Sequence, residues 1–347
     1  MRRAALLALI SVLCWTTGPV GSKAALLARH GEARLTPLQV AFWAILLGWA
    51  ALALRLLLGG GGRRLRGISP RGWAVIAAMG LFGWTGYPVA INFAYTRLPL
   101  AEAMLISYLN PVLVVLLQGA WLGRLARPVS GWEQEAGRKP TPGLRVALGL
   151  ALCLGGVAAI ATNGRLSTLL GFRFSVGVAA ALFAALAWAI YSNLGRFVAV
   201  RPGHDAGGLA AAQNLGAMTI GLAVMAALLV GVGEWRPPAG FATILYWGGI
   251  PLVSVDTWLI IAAMGLLNYA VGYTLWLHSL ELGARAGEAH RLPPITYLLV
   301  VLSVLIGWLL LREPIRPIFW IGAALIAAGN AVTLWPAHRE VAAATAR

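Results

Sequence analysis

Ala78-Met79-Gly80-Leu81-Phe82, leading to Gly86-Tyr87, is met again as Ala263-Met264-Gly265-Leu266-Leu267, leading to Gly272-Tyr273. Each copy is followed by an apolar segment that opens Ala-x-Ala and carries a proline ten residues on, Ala101 with Pro111 and Ala284 with Pro294. Similarity that returns at a long, nearly fixed separation marks an internal duplication. Trp15 and Trp188 are 173 residues apart, and so are Gly149 and Gly322, and Gly156 and Gly329. The paired tyrosines differ by 186 and the prolines by 183, so the copies have diverged by short insertions.

The duplicated unit belongs in a membrane. Of 347 residues, 60% are hydrophobic and only 11% are charged, against an apolar share of about 45–50% in soluble domains. Ten apolar stretches, each long enough for a hydrocarbon core of about 30 Å, lie at roughly 5–27, 37–58, 73–96, 100–122, 144–162, 175–199, 209–232, 250–278, 284–311 and 317–335. Five spans per copy is an odd number, so the second copy crosses in the opposite sense. The predicted fold is an all-α polytopic membrane protein with ten transmembrane helices in two inverted five-helix repeats. Repeat 1 takes 1–123 and 144–165, with a polar cytoplasmic loop at 124–143; repeat 2 takes 174–335, and 336–347 is a tail. In such architectures the substrate site lies near the midplane between the copies.

The net charge of +16 does not point to nucleic acid, because the basic residues sit in short loops between spans. With the N-terminus inside, 18 of the 27 lysines and arginines fall on the inner side and 9 on the outer, which puts both termini in the cytoplasm. Met1-Arg2-Arg3 before an apolar run has the look of a signal peptide. That run is long enough to span and has a counterpart in the second half, so it reads as a retained first helix. Cys14 and Cys153 lie inside spans, and no cysteine or histidine spacing predicts a metal site. Nothing in the pattern calls for a cofactor. No nucleophile–base or His-Glu-x-x-His arrangement falls within the spans, which argues against an enzyme.

Helix breakers inside hydrocarbon persist only where protein or a cavity satisfies the freed backbone groups. Gly18-Pro19 breaks the first span, Gly86-Tyr87-Pro88 the third, Pro111 the fourth and Pro293-Pro294 the ninth. The polar and aromatic residues sort to the same spans. Ser107, Tyr108 and Asn110 precede Pro111, and Trp188 and Tyr191 are three apart in the sixth span. Tyr269, Tyr273 and Trp276 share one helical face in the eighth, with Asn268 and Gly272 beside them. Trp15, Tyr87, Tyr108, Trp188, Tyr191 and Tyr273 sit deeper than an interfacial belt requires. Two readings of the ninth span stay open. If it begins at Ala284, then Glu288, His290 and Arg291 enter the membrane, where Arg291 could receive a carboxylate and Glu288 or His290 a coupled proton. If it begins nearer Leu292, all three are wetted charges.

These residues resemble the drug/metabolite transporter superfamily, in its EamA-type branch of ten helices. The resemblance is carried by Trp15, by Ala101 to Pro111, by Ala187-Trp188-Ala189 with Tyr191, by Pro294 and by the closing Leu311-Arg312-Glu313, and it covers about 5–335. Ser107-Tyr108-Leu109-Asn110-Pro111 and Ala187-Trp188-Ala189-Ile190-Tyr191 are similar to segments of bacterial aromatic amino-acid exporters. That resemblance implies a central cavity lined by aromatics and carries a binding role to Trp15, Tyr108, Pro111, Trp188 and Pro294. This chain departs from those exporters at Asn110, where they have an aromatic residue, and at the charged Glu288-x-His290-Arg291.

The expectation is an inner-membrane carrier of small amphipathic metabolites, foremost amino acids leaving the cell, for which a monomer in the lipid bilayer suffices. Its substrate would be met by Trp15, Tyr87, Tyr108, Asn110, Pro111, Trp188, Tyr191, Asn268, Tyr273, Trp276, His290, Arg291 and Pro294. The alternative is a proton-coupled drug or nucleotide-sugar carrier that uses Glu288 or His290. Tags inserted near Arg127 and near Gly171 are expected on opposite sides of the bilayer; finding both on one side overturns the alternation of spans.

Overall fold

A computed structural model describes residues 2–27, 35–59, 65–98, 100–120, 144–162, 164–165, 175–198, 209–231, 254–286, 288–311 and 315–334. The loop at 124–143, the tail at 336–347 and the Arg312-Glu313 pair lie outside them. Nine helices among the described residues are long and apolar enough to cross a membrane, and Ala103–Leu117 is a shorter apolar helix. In chain order they are α1 (Arg2–Leu26), α2 (Pro37–Leu58), α3 (Pro70–Arg97), α4 (Leu100–Ser107 with Asn110–Ala120), α5 (Leu144–Ala161), α6 (Val176–Leu194), α7 (Leu209–Gly231), α8 (Val255–Arg285), α9 (α-helical over Leu298–Leu311, in a membrane-length span that begins with 3₁₀ turns and covers Ala289–Ile306) and α10 (Pro317–Leu334). Large apolar side chains such as Leu144, Leu148, Leu259, Trp320 and Ile321 are exposed. That pattern would be a liability in water and is ordinary solvation in a bilayer.

The breaks have local causes. In α1, Pro19 has no N–H for the Trp15 carbonyl, and the chain tightens at Thr16, whose N–H reaches Leu13 O at 3.3 Å. The Thr16 and Thr17 hydroxyls donate to Leu13 O and Cys14 O at 2.7 and 2.8 Å. A capping box starts α2: Gln39 N–H donates to Thr36 Oγ1 at 3.2 Å, and Thr36 N–H to Gln39 Oε1 at 2.9 Å. The duplicated stretch corresponds to a distinctive backbone. Gly80–Gly86 in α3 and Met264–Gly272 in α8 are both π-helical, closing with Tyr87 N–H on Phe82 O and Tyr273 N–H on Asn268 O. Such wide turns are uncommon and often mark functional sites.

The end of α8 differs from the sequence expectation. A break near 278 and a new helix from Ala284 were expected, yet α8 runs through Arg285, so Ala284 and Ala286 close one helix rather than open the next. Leu277, Leu280 and Ala284 continue the buried face of α8. Its last turn is tied by Arg285 Nη2 on Glu281 Oε1 at 2.7 Å. Two 3₁₀ turns follow, Ala289–Arg291 and Pro293–Tyr297, and α9 starts only at Leu298. Pro293 and Pro294 remove two successive donors, which leaves the tighter i to i+3 bonds as the available pairing. Glu288 therefore precedes the span, and His290 and Arg291 lie in its 3₁₀ entry rather than in the α-helical turns of α9.

Glycine contacts show how the repeats meet. A Cβ on Gly149 of α5 would meet Gly329 O at 2.7 Å, and one on Gly156 would meet Gly322 O at 2.5 Å. The earlier glycine of α5 thus faces the later glycine of α10, which makes the pair antiparallel. Because 149/322 and 156/329 are repeat mates, each contact occurs twice, as a two-fold relation demands. The same holds elsewhere. Gly265 of α8 sits against Ala44 O of α2 at 2.6 Å, and Gly80 of α3 against Ala217 O of α7 at 2.8 Å. Ala44 and Ala217 are again 173 residues apart. The second half is a copy of the first, inverted and packed onto it backbone to backbone.

Gly156→Ala is expected to destabilise the protein by about 1–3 kcal/mol, the usual penalty for forcing a methyl into a filled interface. Gly155 meets nothing within 4 Å, so Gly155→Ala is expected to be neutral or stabilising by up to about 1 kcal/mol. Thermal unfolding in detergent reads both, and equal losses would refute the assigned helix face.

Candidate functional site

The broken and widened segments converge. The break in α1 presents Trp15, Gly18, Pro19 and Ser22 on one side. The α3 residues that follow the π turn, Tyr87, Ile91, Asn92 and Tyr95, stand opposite. Met104, Ser107, Tyr108 and Asn110 come from the broken α4 and Trp188 from α6. Asn268, Tyr269 and Tyr273 come from the π turn of α8 and its end, and Thr296 and Leu299 from the start of α9. Together they enclose a cavity of about 60 Å³. One water needs about 10–15 Å³ of such space, so the cavity admits a few waters, and an amino acid requires the walls to part. Twelve of its 18 lining residues come from the C-terminal halves of α1 and α3 and the N-terminal half of α4. It is therefore displaced away from the end of the bundle at which α1 begins, called here the N face.

Trp15 and Trp188 are repeat mates and touch each other, edge to face, with ring centroids 5.0 Å apart. The two-fold axis therefore runs between them. Tyr87 packs on Trp188 at 5.1 Å and its mate Tyr273 on Trp15 at 5.8 Å, so four rings form a symmetric floor. Beneath and beside it Trp84, Tyr191, Tyr269 and Trp276 extend the cluster. Trp84 packs at a tilt on Tyr273, with centroids 4.4 Å apart, and Trp276 on Trp15 at 5.4 Å. Geometries of this kind each add about 0.5–1.5 kcal/mol beyond burial.

No charged side chain lines the cavity among the described residues. Its polar groups are amides and hydroxyls. Asn92 donates to Pro37 O at 3.3 Å, Ser107 to Met104 O at 3.0 Å and Thr296 to Pro293 O at 2.7 Å. Trp15 Nε1 and Asn110 Oδ1 are buried without a hydrogen-bond partner. One is a donor and the other an acceptor, both on residues of the cavity wall. The ion pairs described stand instead at the N face. Glu281, 2% exposed, accepts from Arg285 and lies 3.2 Å from His278 Nδ1, while Arg291 Nη1 is 2.9 Å from Glu288 Oε1. Among the described residues, no group of three or more His, Cys, Asp or Glu side chains could hold a metal.

Of the residues singled out from sequence, Trp15, Tyr87, Tyr108, Asn110, Trp188, Asn268 and Tyr273 line the cavity. Tyr191, Trp276, Pro111 and Pro294 are buried outside its lining. Glu288, His290 and Arg291 do not line it. They form a short turn at the N face in which Glu288 is buried, Arg291 is half-buried, and the two are paired rather than fully wetted. Sequence reasoning passed over Trp84, Ile91, Asn92 and Tyr95. Tyr87, Ile91, Asn92 and Tyr95 form one stripe along α3 at spacings of 4, 5 and 8, a signal that was present once Tyr87 was suspected.

A family model of the EamA-like transporters matches residues 2–130 and 175–335, taking in both halves. The chain belongs to the EamA-like transporter family. It is a multi-pass membrane protein of a family of carriers. Over 108 residues, 31% of this chain, it is 31% identical to an uncharacterized transporter in the cobO 3′ region of Sinorhizobium sp., and the match spans 64% of that relative. Over 80 residues, 22% of this chain, it is 32% identical to the permease-like protein YdzE of Bacillus subtilis (strain 168), covering 95% of it. A crystal structure matches 97% of this chain and 98% of its own, with a TM-score of 0.66 and 23% identity, a likeness of fold.

Trp84→Ala is expected to lower stability by about 3–5 kcal/mol, as for other buried large-to-small changes, because Trp84 is fully buried among Tyr191, Tyr269 and Tyr273. Trp320→Ala, at an exposed ring, is expected to change it little. Unfolding in detergent compares the two; equal effects would mean that the cluster is not the core between the repeats.

Proposed function

We propose that this EamA-like transporter carries amino acids or closely related small amphipathic metabolites out of the cell. It would work by alternating access in the inner membrane, with both termini cytoplasmic. The observation that supports the reading is the chemistry of the cavity wall: aromatic rings with amides and hydroxyls, and no charged side chain among the described lining residues. A neutral amino acid is amphipathic and carries no net charge, so the wall need supply no counter-ion, only hydrogen-bond and ring-face partners for its ammonium and carboxylate groups. Trp15, Tyr87, Tyr108, Trp188 and Tyr273 would pack its apolar part. Ring faces also suit an ammonium group, and the unpartnered Asn110 Oδ1 offers it an acceptor. The Trp15 indole N–H and the Asn268 amide would donate to the carboxylate. Pro111 and Pro294 supply the breaks that keep backbone groups near the site. Arg291, already paired with Glu288, is given no part in this recognition.

The test is a panel of labelled amino acids in proteoliposomes, with and without ion gradients. Neutral amino acids are expected to be carried, glutamine at least about tenfold faster than glutamate, the factor that about 1.4 kcal/mol of discrimination provides. Trp188→Ala is expected to reduce uptake about tenfold or more. Arg291→Ala is expected to affect acids and their amides alike. Equal rates for glutamate and glutamine, or no amino-acid transport at all, would overturn the substrate class. Uptake that collapses without a pH gradient, and again in Glu288→Gln, would favour the proton-coupled alternative.

A further inference from the structure

The two-fold relation does not extend to the polar side chains near the N face. There Tyr191 OH donates to Asn214 Oδ1 at 2.8 Å, and Asn214 Nδ2 donates to Thr274 Oγ1 at 3.0 Å, a buried chain across α6, α7 and α8. Trp276 Nε1 donates to Ser192 Oγ at 3.4 Å and Asn193 Nδ2 to Val114 O at 3.1 Å, adding ties from α8 and α4 to α6. At the offset of 173 the mates of Tyr191, Ser192, Asn193 and Asn214 are Gly18, Pro19, Val20 and Ala41. At the tyrosine offset of 186 the mates of Thr274 and Trp276 are Pro88 and Ala90. None of these six has a side chain that can hydrogen-bond. The corresponding ties cannot form at the opposite face.

The steric pattern is equally one-sided. A Cβ on Gly18 would meet Asn268 Nδ2 at 3.0 Å, and this pair borders the cavity. The mate of Gly18 is Tyr191, and its ring fills the space beside Gly83, which is the position equivalent to Asn268 at the offset of Gly80 and Gly265. Where one half of the molecule has a glycine and an opening, the other has a tyrosine and a plug. Below that plug remains a second, water-sized void of about 20 Å³ lined by Ser192, Asn193, Gln213 and Glu281, among others.

We propose that Tyr191, held by Asn214 and Thr274, is the gate of the N-face route, and that its hydrogen bonds make closure at the N face the resting state. The proposal rests on the transporter reading with alternating access but on no particular substrate. When the chain of bonds breaks and the Tyr191 ring leaves Gly83, the void beneath joins the central cavity. The route that opens is lined by the released Asn214 and by Ser192, Asn193 and Gln213. At the opposite face Gly18, Pro19, Ala41 and Pro88 stand where the N face has Tyr191, Ser192, Asn214 and Thr274; the tie described there is Asn92 Nδ2 on Pro37 O at 3.3 Å, so the two end states differ in free energy by the side-chain hydrogen bonds that have no counterpart across the two-fold.

The test needs no substrate. Full-length protein carrying Cys14→Ser and Cys153→Ser is placed in nanodiscs, where both faces meet solvent. A single reporter is introduced, either Ala210→Cys at the second void or Ser22→Cys in the cavity, and its labelling rate by a charged maleimide is measured. Tyr191→Phe keeps the ring and loses the bond. It is expected to raise labelling at Ala210→Cys about two- to tenfold, the range one net hydrogen bond allows, and to lower it at Ser22→Cys. Thr274→Val, which removes the far end of the chain with nearly the same shape, is expected to move both reporters in the same directions. Unchanged rates in both variants, or rates that rise at both reporters together, would make the bonds a structural tie and overturn the gate. A failed amino-acid panel would leave this result standing, and the converse also holds.

Discussion

Backbone-to-backbone contact between glycines of the two repeats is the constraint on which the molecule depends. Gly149 on Gly329 and Gly156 on Gly322 bring α5 and α10 together closely enough that a methyl group on either would collide. Lipid tails are as apolar as leucine, so burying apolar surface gains little between membrane helices. Close approach through small residues is a main source of association there. The same device joins α2 to α8 and α3 to α7. These three helix pairings, α5–α10 lying on the two-fold and α2–α8 and α3–α7 related by it, set the repeats in one relative position and leave the symmetry axis between Trp15 and Trp188.

The cavity follows from that placement. Helices that cross the axis contribute their broken or widened segments to it: the proline break of α1, the π turns of α3 and α8, the interrupted α4, and the 3₁₀ entry to α9. Each of these leaves backbone groups that α-helical pairing cannot satisfy, and in hydrocarbon those groups need protein or water around them. A pocket with polar lining between the repeats and regular helix at the lipid surface are therefore one arrangement seen from two sides. The charged groups are kept out of it; Glu281, His278, Arg285, Glu288 and Arg291 pair among themselves at the N face.

Symmetry brings the site together, and its violations give it direction. A strictly two-fold pair of repeats would have equal energies open to either side. Here the α6 side carries Tyr191, Ser192 and Asn193, with Asn214 on α7, where the first repeat has Gly18, Pro19, Val20 and Ala41. At these positions the copies have diverged, while the glycine contacts that hold them together have kept their spacing.

The chain's own residues determined much of this in advance. Hydropathy and the odd number of spans per copy dictate an inverted pair of helical repeats, because each span must satisfy its backbone internally and has one length that fits the bilayer. Depth in the helix and proximity to a breaker pointed to Trp15, Tyr87, Tyr108, Asn110, Trp188, Asn268 and Tyr273, which tertiary packing gathers around one cavity. Other features were not legible along a single strand of sequence. The Ala-x-Ala at Ala284 looked like a helix start, yet the buried face of α8 continues past it, since packing against neighbouring helices outweighs a local pattern. Whether Arg291 faces a substrate or a partner depends on where Glu288 stands in space, and the offset of the cavity toward one face depends on which mate is a glycine and which a tyrosine. Periodicity specifies which residues share a helix face; which face meets which neighbour is a property of the assembled bundle, because it is decided by contacts between residues far apart in the chain.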